Sequence, residues 1–142
     1  MKKIIYTLGT SNRTLTEFLR ILKKYKIELV CDVRRFPTSK FEYFKKDLLK
    51  KSLKEHNIDY LWLGDILGGF RKPNYQEYTK TKDFKKGIEK IKSLSKSKKL
   101  CIICSERLYF KCHRNFIAKA LSNEFEVIHI IEEDKIASVK RS

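Results

Sequence analysis

Short apolar runs alternate along the chain with longer stretches in which apolar residues return every three or four positions. The runs fall at Lys3–Leu8, Glu28–Val33, Asp59–Leu63, Leu100–Cys104 and Glu126–Ile130. They are brief and nearly continuous, which suits strands covered on both faces, as in a parallel sheet. The first intervening stretch predicts a helix. Thr14 with Glu17 forms a capping box, and Leu15, Phe18, Leu19 and Leu22 follow at i, i+3, i+4 and i+7. A second helix is predicted from about Phe41 to Asn57, with Ser39 and Glu42 as a further box and Phe44, Leu48, Leu49 and Leu53 inside. A third runs from about Asp83 to Lys96 on Phe84, Ile88, Ile91 and Leu94. The last covers about Phe110–Asn123 and buries Phe116, Ile117, Ala120 and Leu121.

Alternating strands and helices predict one α/β domain over residues 1–131, a mainly parallel five-stranded sheet with helices on both faces, Rossmann-like in layering. The expected strand order is 3-2-1-4-5. It places a topological switch between strands 1 and 4, and ligands bind outside the carboxyl ends of the strands near such a switch. Glu132–Ser142 is polar and is expected to be a partly loose tail. Neither an internal repeat nor a linker is evident.

A length of 142 residues suits one domain, and 42% hydrophobic with 35% charged residues fits a globular chain rather than a disordered one. No apolar run approaches the ~20 residues of a membrane span. Met1-Lys2-Lys3 followed by Ile4-Ile5-Tyr6 is too short for a signal peptide and continues into a strand pattern, so the expected location is the cytoplasm. The net charge of +16 admits nucleic acid or another polyanion as partner. It also fits a chain whose default polar residue is lysine, because Lys23-Lys24-Lys26, Lys45-Lys46, Lys50-Lys51, Lys85-Lys86 and Lys98-Lys99 spread it over nearly every helix.

The arginines are distributed differently. Six of eight, namely Arg13, Arg34, Arg35, Arg71, Arg107 and Arg114, stand where a predicted strand meets a loop or a new helix. Guanidinium is a planar fork that grips phosphate or carboxylate through paired donors, so this placement points to an anion. After strand 1, Gly9-Thr10-Ser11-Asn12-Arg13 offers amides at a helix start plus the side chains of Ser11 and Asn12, either an anion cradle or an ordinary βα turn. After strand 2, alternation puts Asp32 and Arg34 on one face, where they can pair, and Arg35 follows. Asp32 also sits where α/β enzymes place bases, metal ligands and ribose binders. After strand 3, Gly68 and Gly69 permit positive φ or close backbone approach, with Arg71 beyond them and Tyr75 and Tyr78 able to pack or to stack on a base.

The strongest local signal follows strand 4: Cys104-Ser105-Glu106, then Cys112-His113-Arg114 opening the last helix. Cations in a first turn oppose the helix dipole at a cost of several tenths of a kcal/mol each, so His113 and Arg114 call for an anionic partner, either Glu106 or a ligand. The same dipole would favour a Cys112 thiolate if that thiol faces solvent; otherwise Cys112 packs inward one turn before Phe116. Six residues after Cys104 stands Phe110, so this is no Cys-x5-Arg phosphatase loop. Cys31, Cys101, Cys104 and Cys112 are expected to be reduced. Cys101-Ile102-Ile103-Cys104 has zinc-knuckle spacing, but strand residues three apart face opposite ways, so no structural zinc or other metal is expected.

These blocks together resemble the family known as domain of unknown function 488, whose pattern runs Gly-x-Ser-Asn, Asp-Val-Arg with Pro-x-Ser, Leu-Gly-Gly-x-Arg, and Cys-x-Glu leading to Cys-His-Arg. Here they read Gly9-Thr10-Ser11-Asn12, Asp32-Val33-Arg34 with Pro37-Thr38-Ser39, Leu67-Gly68-Gly69-Phe70-Arg71, Cys104-Ser105-Glu106 and Cys112-His113-Arg114. The resemblance spans about residues 4–130. It implies the fold and the site but no reaction, and the family often carries histidine where this chain has Thr10.

The functional expectation is an enzyme acting on a phosphate-bearing substrate, a nucleotide or nucleic acid, with no cofactor fingerprint and no membrane partner. Arg34, Arg71 and Arg114 would hold the anion, with Ser11, Asn12, Arg35, Gly68 and Gly69 around it. Asp32, Glu106 and His113 are the available acid/base groups, and Cys104 or Cys112 is the nucleophile in one version. The alternatives are a non-catalytic nucleic-acid-binding module using the same cleft and a small-molecule sensor. Ser11, Asp32, Arg34, Arg71, Glu106 and Arg114 are all expected in that one cleft.

Overall fold

One sheet carries helices on both faces, and which face each helix covers follows from the direction in which the chain crosses the sheet. The computed structural model describes residues 2–139. Its strands are β1 (Ile4–Gly9), β2 (Leu29–Asp32), β3 (Asp59–Trp62), β4 (Leu100–Cys104), β5 (Glu126–Glu132) and β6 (Lys135–Ser138). They lie in the order β3-β2-β4-β1-β5-β6, with the first five parallel and β6 antiparallel on β5. The helices are α1 (Leu15–Lys24), α2 (Lys46–Glu55), α3 (Gly64–Leu67), α4 (Tyr75–Tyr78), α5 (Lys82–Ser95) and α6 (Arg114–Leu121).

From β1 the chain moves towards the β3 edge through α1 and α2, and it returns through α5 and α6. The two pairs of helices accordingly build separate cores. Phe18, Ile21, Leu22, Leu49 and Leu53 pack on Leu8, Val30, Cys101 and Ile103. Phe84, Ile88, Ile91, Ile117 and Leu121 pack on Ile5, Cys31, Ile102 and Cys104. Cys101 and Cys104 thus belong to opposite layers, as strand alternation requires. The capping box forms as read: Thr14 Oγ1 accepts from the Glu17 amide at 3.1 Å. No helix among the described residues is long and apolar enough to cross a membrane.

Three expectations are corrected. The order 3-2-1-4-5 gives way to one in which β4 stands between β2 and β1. β2 and β4 are buried at every position, so their apolar pattern demands cover without specifying a neighbour. Among the described residues the sheet also has six strands, not five. β6 lies in the polar stretch expected to be loose; it turns back at Glu133-Asp134 and pairs with β5 along an exposed edge, where no apolar alternation is needed. Residues 140–142 of that tail, like Met1, lie outside the described residues.

Two of the expected helices are, in addition, interrupted. Glu42–Phe44 form a single 3-10 turn, and Lys45 is extended at φ −70°, ψ 144° before α2 begins. The Phe44 carbonyl accepts from Arg34 Nη1 at 2.8 Å instead of continuing a helix, and the Ser39 hydroxyl accepts from the Phe41 amide. Leu48 consequently stays 45% exposed. Tyr109–Lys111 form a similar turn, and α6 starts only after the extended Cys112. Ala118 is buried there, while Phe116 and Ala120 are half-buried.

Phe44 is fully buried with its ring edge-on to Phe18 at 5.1 Å. Phe44→Ala should destabilise the fold by about 3–5 kcal/mol, whereas Leu48→Ala should cost less than about 1 kcal/mol. Urea unfolding midpoints measure both.

Candidate active site

With β4 next to β2, the loops after these two strands face each other across a cleft of about 470 Å³. The β2 side supplies Arg34, Arg35 and Phe36, and the segment after α3 supplies Gly69, Phe70 and Arg71. The β4 side supplies Cys104, Ser105 and Glu106, with Lys111, Cys112, His113 and Tyr75 closing the remaining wall.

The β2 side rests on a buried ion pair. Asp32 is fully buried and accepts from Arg34 Nε at 2.8 Å, Arg34 Nη2 at 2.7 Å, the Arg34 amide at 3.1 Å and Tyr60 Oη at 2.6 Å. Arg34 spends its remaining terminal nitrogen on the Phe44 carbonyl. A bidentate pair with every lone pair answered can stay charged without water. The Arg34 carbonyl takes the Trp62 indole N–H at 2.8 Å. It also lies so near Gly64 that a Cβ there would stand 1.9 Å from it. At Gly68 a Cβ would meet the Arg35 Cα at 2.6 Å. Close backbone approach, not positive φ, therefore explains that glycine. The positive φ in this loop belongs to Phe70, at 60°. Arg35 Nη1 donates to the carbonyls of Gly69 (3.3 Å) and Phe70 (2.7 Å). Arg71 donates to the carbonyls of Gly68 and Asp65 and lies 4.2 Å from the Tyr78 ring centroid.

The β4 side is organised by Arg114, which is fully buried although it opens α6. Its Nε donates to Thr7 Oγ1 at 3.1 Å, its Nη1 to Cys104 Sγ and the Glu106 carbonyl, and its Nη2 to the Arg107 carbonyl at 3.1 Å. Thr7 Oγ1 lies 2.5 Å from His129 Nδ1, and the His129 ring stacks on Tyr109 at 4.1 Å. Gly9 completes the seat, since a Cβ there would stand 1.8 Å from the Glu106 carbonyl oxygen. The partners of Arg114 are therefore a hydroxyl, a cysteine sulfur and two carbonyls inside the protein, not the anionic Glu106 carboxylate.

These contacts set the thiol chemistry. Burial pushes the Cys104 thiol up, but the hydrogen bond from Cys112 and the charge of Arg114 outweigh it and bring the pKa down to about 7. Cys112 moves the other way, raised first by its hydrogen bond to Cys104 and then by burial. The shift expected for a solvent-facing Cys112 therefore falls on Cys104, whose sulfur accepts from the Arg114 guanidinium, whereas Cys112 accepts only from the Arg114 amide. Burial lowers the His113 pKa. Its Nε2 carries the proton and donates to the Val33 carbonyl at 2.9 Å, which leaves Nδ1 as an acceptor 3.7 Å from Cys112 Sγ.

Of the residues singled out from the sequence, Arg34, Arg35, Gly69, Arg71, Cys104, Glu106, Cys112 and His113 line the cleft. Asp32, Gly68 and Arg114 lie beneath it as supports. Ser11 and Asn12 stand behind the loop after β4: the Ser11 amide donates to the Ser105 carbonyl, and Asn12 Oδ1 accepts from Arg107. They were expected in the cleft because strand 1 was expected beside the switch. Tyr75 packs against His113 and Phe116 at ring-centroid distances of 5.2 and 5.5 Å. The Glu106 side chain is exposed at the cleft and makes no hydrogen bond or ion pair among the described residues. Among the described residues no group of three or more His, Cys, Asp or Glu is placed to hold a metal ion.

Phe36, Phe70, Ser105 and Lys111 line the cleft without having been given a role from the sequence, and the supports Thr7 and His129 were given none either. His129 did leave a signal, a lone titratable residue within an apolar strand. Residues 14–121 match the model of a family described as domain of unknown function DUF488. No curated protein and no solved structure matches the chain.

Cys104 is only 1% exposed but borders the cleft, so native alkylation with iodoacetamide should modify it slowly, with a pH midpoint of about 7, and Arg114→Gln should shift that midpoint upwards. Cys31, pushed up to about 12 by burial, should stay unmodified while the chain is folded. A second test concerns His129, whose pKa burial and then Arg114 lower from 6.5 to about 3. The unfolded chain takes up a proton that the native chain refuses. Stability should therefore fall as pH drops from 6.5 towards 3, by at most about 1.4 kcal/mol per pH unit from this group. His129→Gln should flatten that part of a stability–pH curve measured by urea unfolding.

Proposed function

The chain belongs to the DUF488 family, and we propose that it is an enzyme that uses Cys104 as nucleophile on a phosphate-bearing substrate, a nucleotide or nucleic acid. The observation that carries this reading is the Cys104 sulfur, 1% exposed at the cleft wall and held by a buried guanidinium, with the Glu106 carboxylate, unpaired among the described residues, two residues on. A thiolate favoured near neutral pH is both abundant and nucleophilic at working pH.

The roles divide by burial. Arg34 and Arg114, expected to hold the anion, are spent on the protein itself and position the two walls. Arg35 and Arg71 at the cleft each retain guanidinium N–H groups without acceptors among the described residues, and Lys111 adds a further cation. These three would bind the phosphate. The Cys104 sulfur would bond to the electrophilic centre as the bond to the leaving group breaks, with Glu106 giving the leaving group its proton. Water would then cleave the thio-intermediate, Glu106 taking its proton and the thiolate re-forming. The charge of +16 assists by drawing polyanions to the surface.

The test is a panel of nucleoside phosphates and para-nitrophenyl phosphate, assayed by product release and by intact mass for a covalent adduct. Wild-type chain should turn over at least one of them. Glu106→Gln should lower the rate about 10²- to 10⁴-fold with binding kept, and Cys104→Ser should abolish both adduct and turnover. If nothing is turned over, and nucleic acid binds with a steep salt dependence that Glu106→Gln leaves unchanged, the protein is a binding module instead.

A further inference from the structure

We infer that Phe36 and Phe70 form an aromatic platform on which the base of a nucleotide stacks, so that the ligand of the cleft carries a nucleobase as well as a phosphate. The inference rests on the enzyme reading only for the place of the phosphate. Phe36 is 63% exposed and Phe70 81%, the latter the most exposed large apolar residue among those described. Both line the cleft. Their ring centroids stand 5.9 Å apart and their planes make 45°, so the pair opens as a shallow V at the mouth.

The position of Phe70 is imposed. Its φ of 60° is a left-handed conformation that costs a non-glycine residue of order 1 kcal/mol or more, while neighbouring Gly69, which would adopt it freely, does not. Arg35 clamps the carbonyls on either side of that bend, at 3.3 and 2.7 Å, and its guanidinium carbon lies 5.8 Å from the Phe36 ring centroid. A strained backbone thus holds a large apolar ring in water. Such a ring gains by covering its face, and the surroundings select what covers it. Arg35, Arg71 and Lys111 share the cleft with the rings, so a second copy of this face would oppose cation to cation. A planar base attached to phosphate satisfies both features. A volume of about 470 Å³ accommodates a mononucleotide. Stacking on phenylalanine faces reads no hydrogen-bond edge, so the platform accepts any base.

Calorimetric titration separates the contributions, with ribose 5-phosphate, the four ribonucleoside monophosphates and an eight-residue oligothymidylate as ligands. Wild-type chain should bind all four mononucleotides about 5- to 150-fold more tightly than ribose 5-phosphate. Phe70→Leu and Phe36→Leu, which keep an apolar side chain on an exposed site, should each lose most of that margin and leave ribose 5-phosphate affinity unchanged. Tighter binding of the oligonucleotide with the same phenylalanine dependence would assign a strand end as ligand; equal affinity would assign the free nucleotide. Equal affinity for ribose 5-phosphate and mononucleotides would overturn the inference. So would sedimentation showing a wild-type dimer that Phe70→Leu dissociates. Base-dependent binding by a chain without turnover would sustain the platform and remove the enzyme reading. Turnover of ribose 5-phosphate as fast as of nucleotides, with no base-dependent affinity, would do the reverse.

Discussion

A guanidinium taken out of water needs acceptors for its N–H groups from whatever surrounds it, and Arg114 finds them in four places at once. Thr7 on β1, the Cys104 sulfur at the end of β4, and the carbonyls of Glu106 and Arg107 all converge on it. A buried charge that loses a partner costs several kcal/mol. The loop after β4 is therefore held to β1 and α6 by a constraint that hydrophobic packing alone would not supply. The constraint also has a chemical consequence, because one acceptor is a thiol whose ionised form the charge favours. Thr7, His129 and Tyr109 brace the arrangement from behind, and His129, kept neutral by burial and by Arg114, adds no second charge to it.

The opposite wall repeats the device. Asp32 and Arg34 neutralise each other in the core, and Tyr60 and Phe44 answer the valences left over. The cost appears at Phe44, whose carbonyl leaves the helix ladder and delays the start of α2. Each wall thus owes its position to one buried arginine, while Arg35 and Arg71 at the cleft keep guanidinium N–H groups without acceptors among the described residues. Burial, not residue type, divides the two roles. Lysine could not have served as the strut, since its compact ammonium lacks the fork that bridges several acceptors in a plane.

The position of the cleft follows from strand order. Because β4 lies between β2 and β1, the segments carrying Arg35 and Glu106 become neighbours, and the turn after β1 falls behind the loop it supports.

Much of the frame was legible in the sequence. The five parallel strands, the box at Thr14, the opposite facing of Cys101 and Cys104, the pairing of Asp32 with Arg34 and the clustering of chemistry at strand ends are all local. Each depends on the period of an element or on residues two to four apart, and the backbone's own geometry translates those into faces and caps. What the tertiary structure decided is who stands opposite whom. An apolar strand is equally content beside any apolar neighbour, so its pattern could not place β4, and a polar edge such as β6 carried no apolar pattern to read. The ends of long side chains were hidden for the same reason. The Arg114 guanidinium lies several bonds from its backbone, and whether it meets solvent, a ligand or Cys104 depends on what the fold brings within reach.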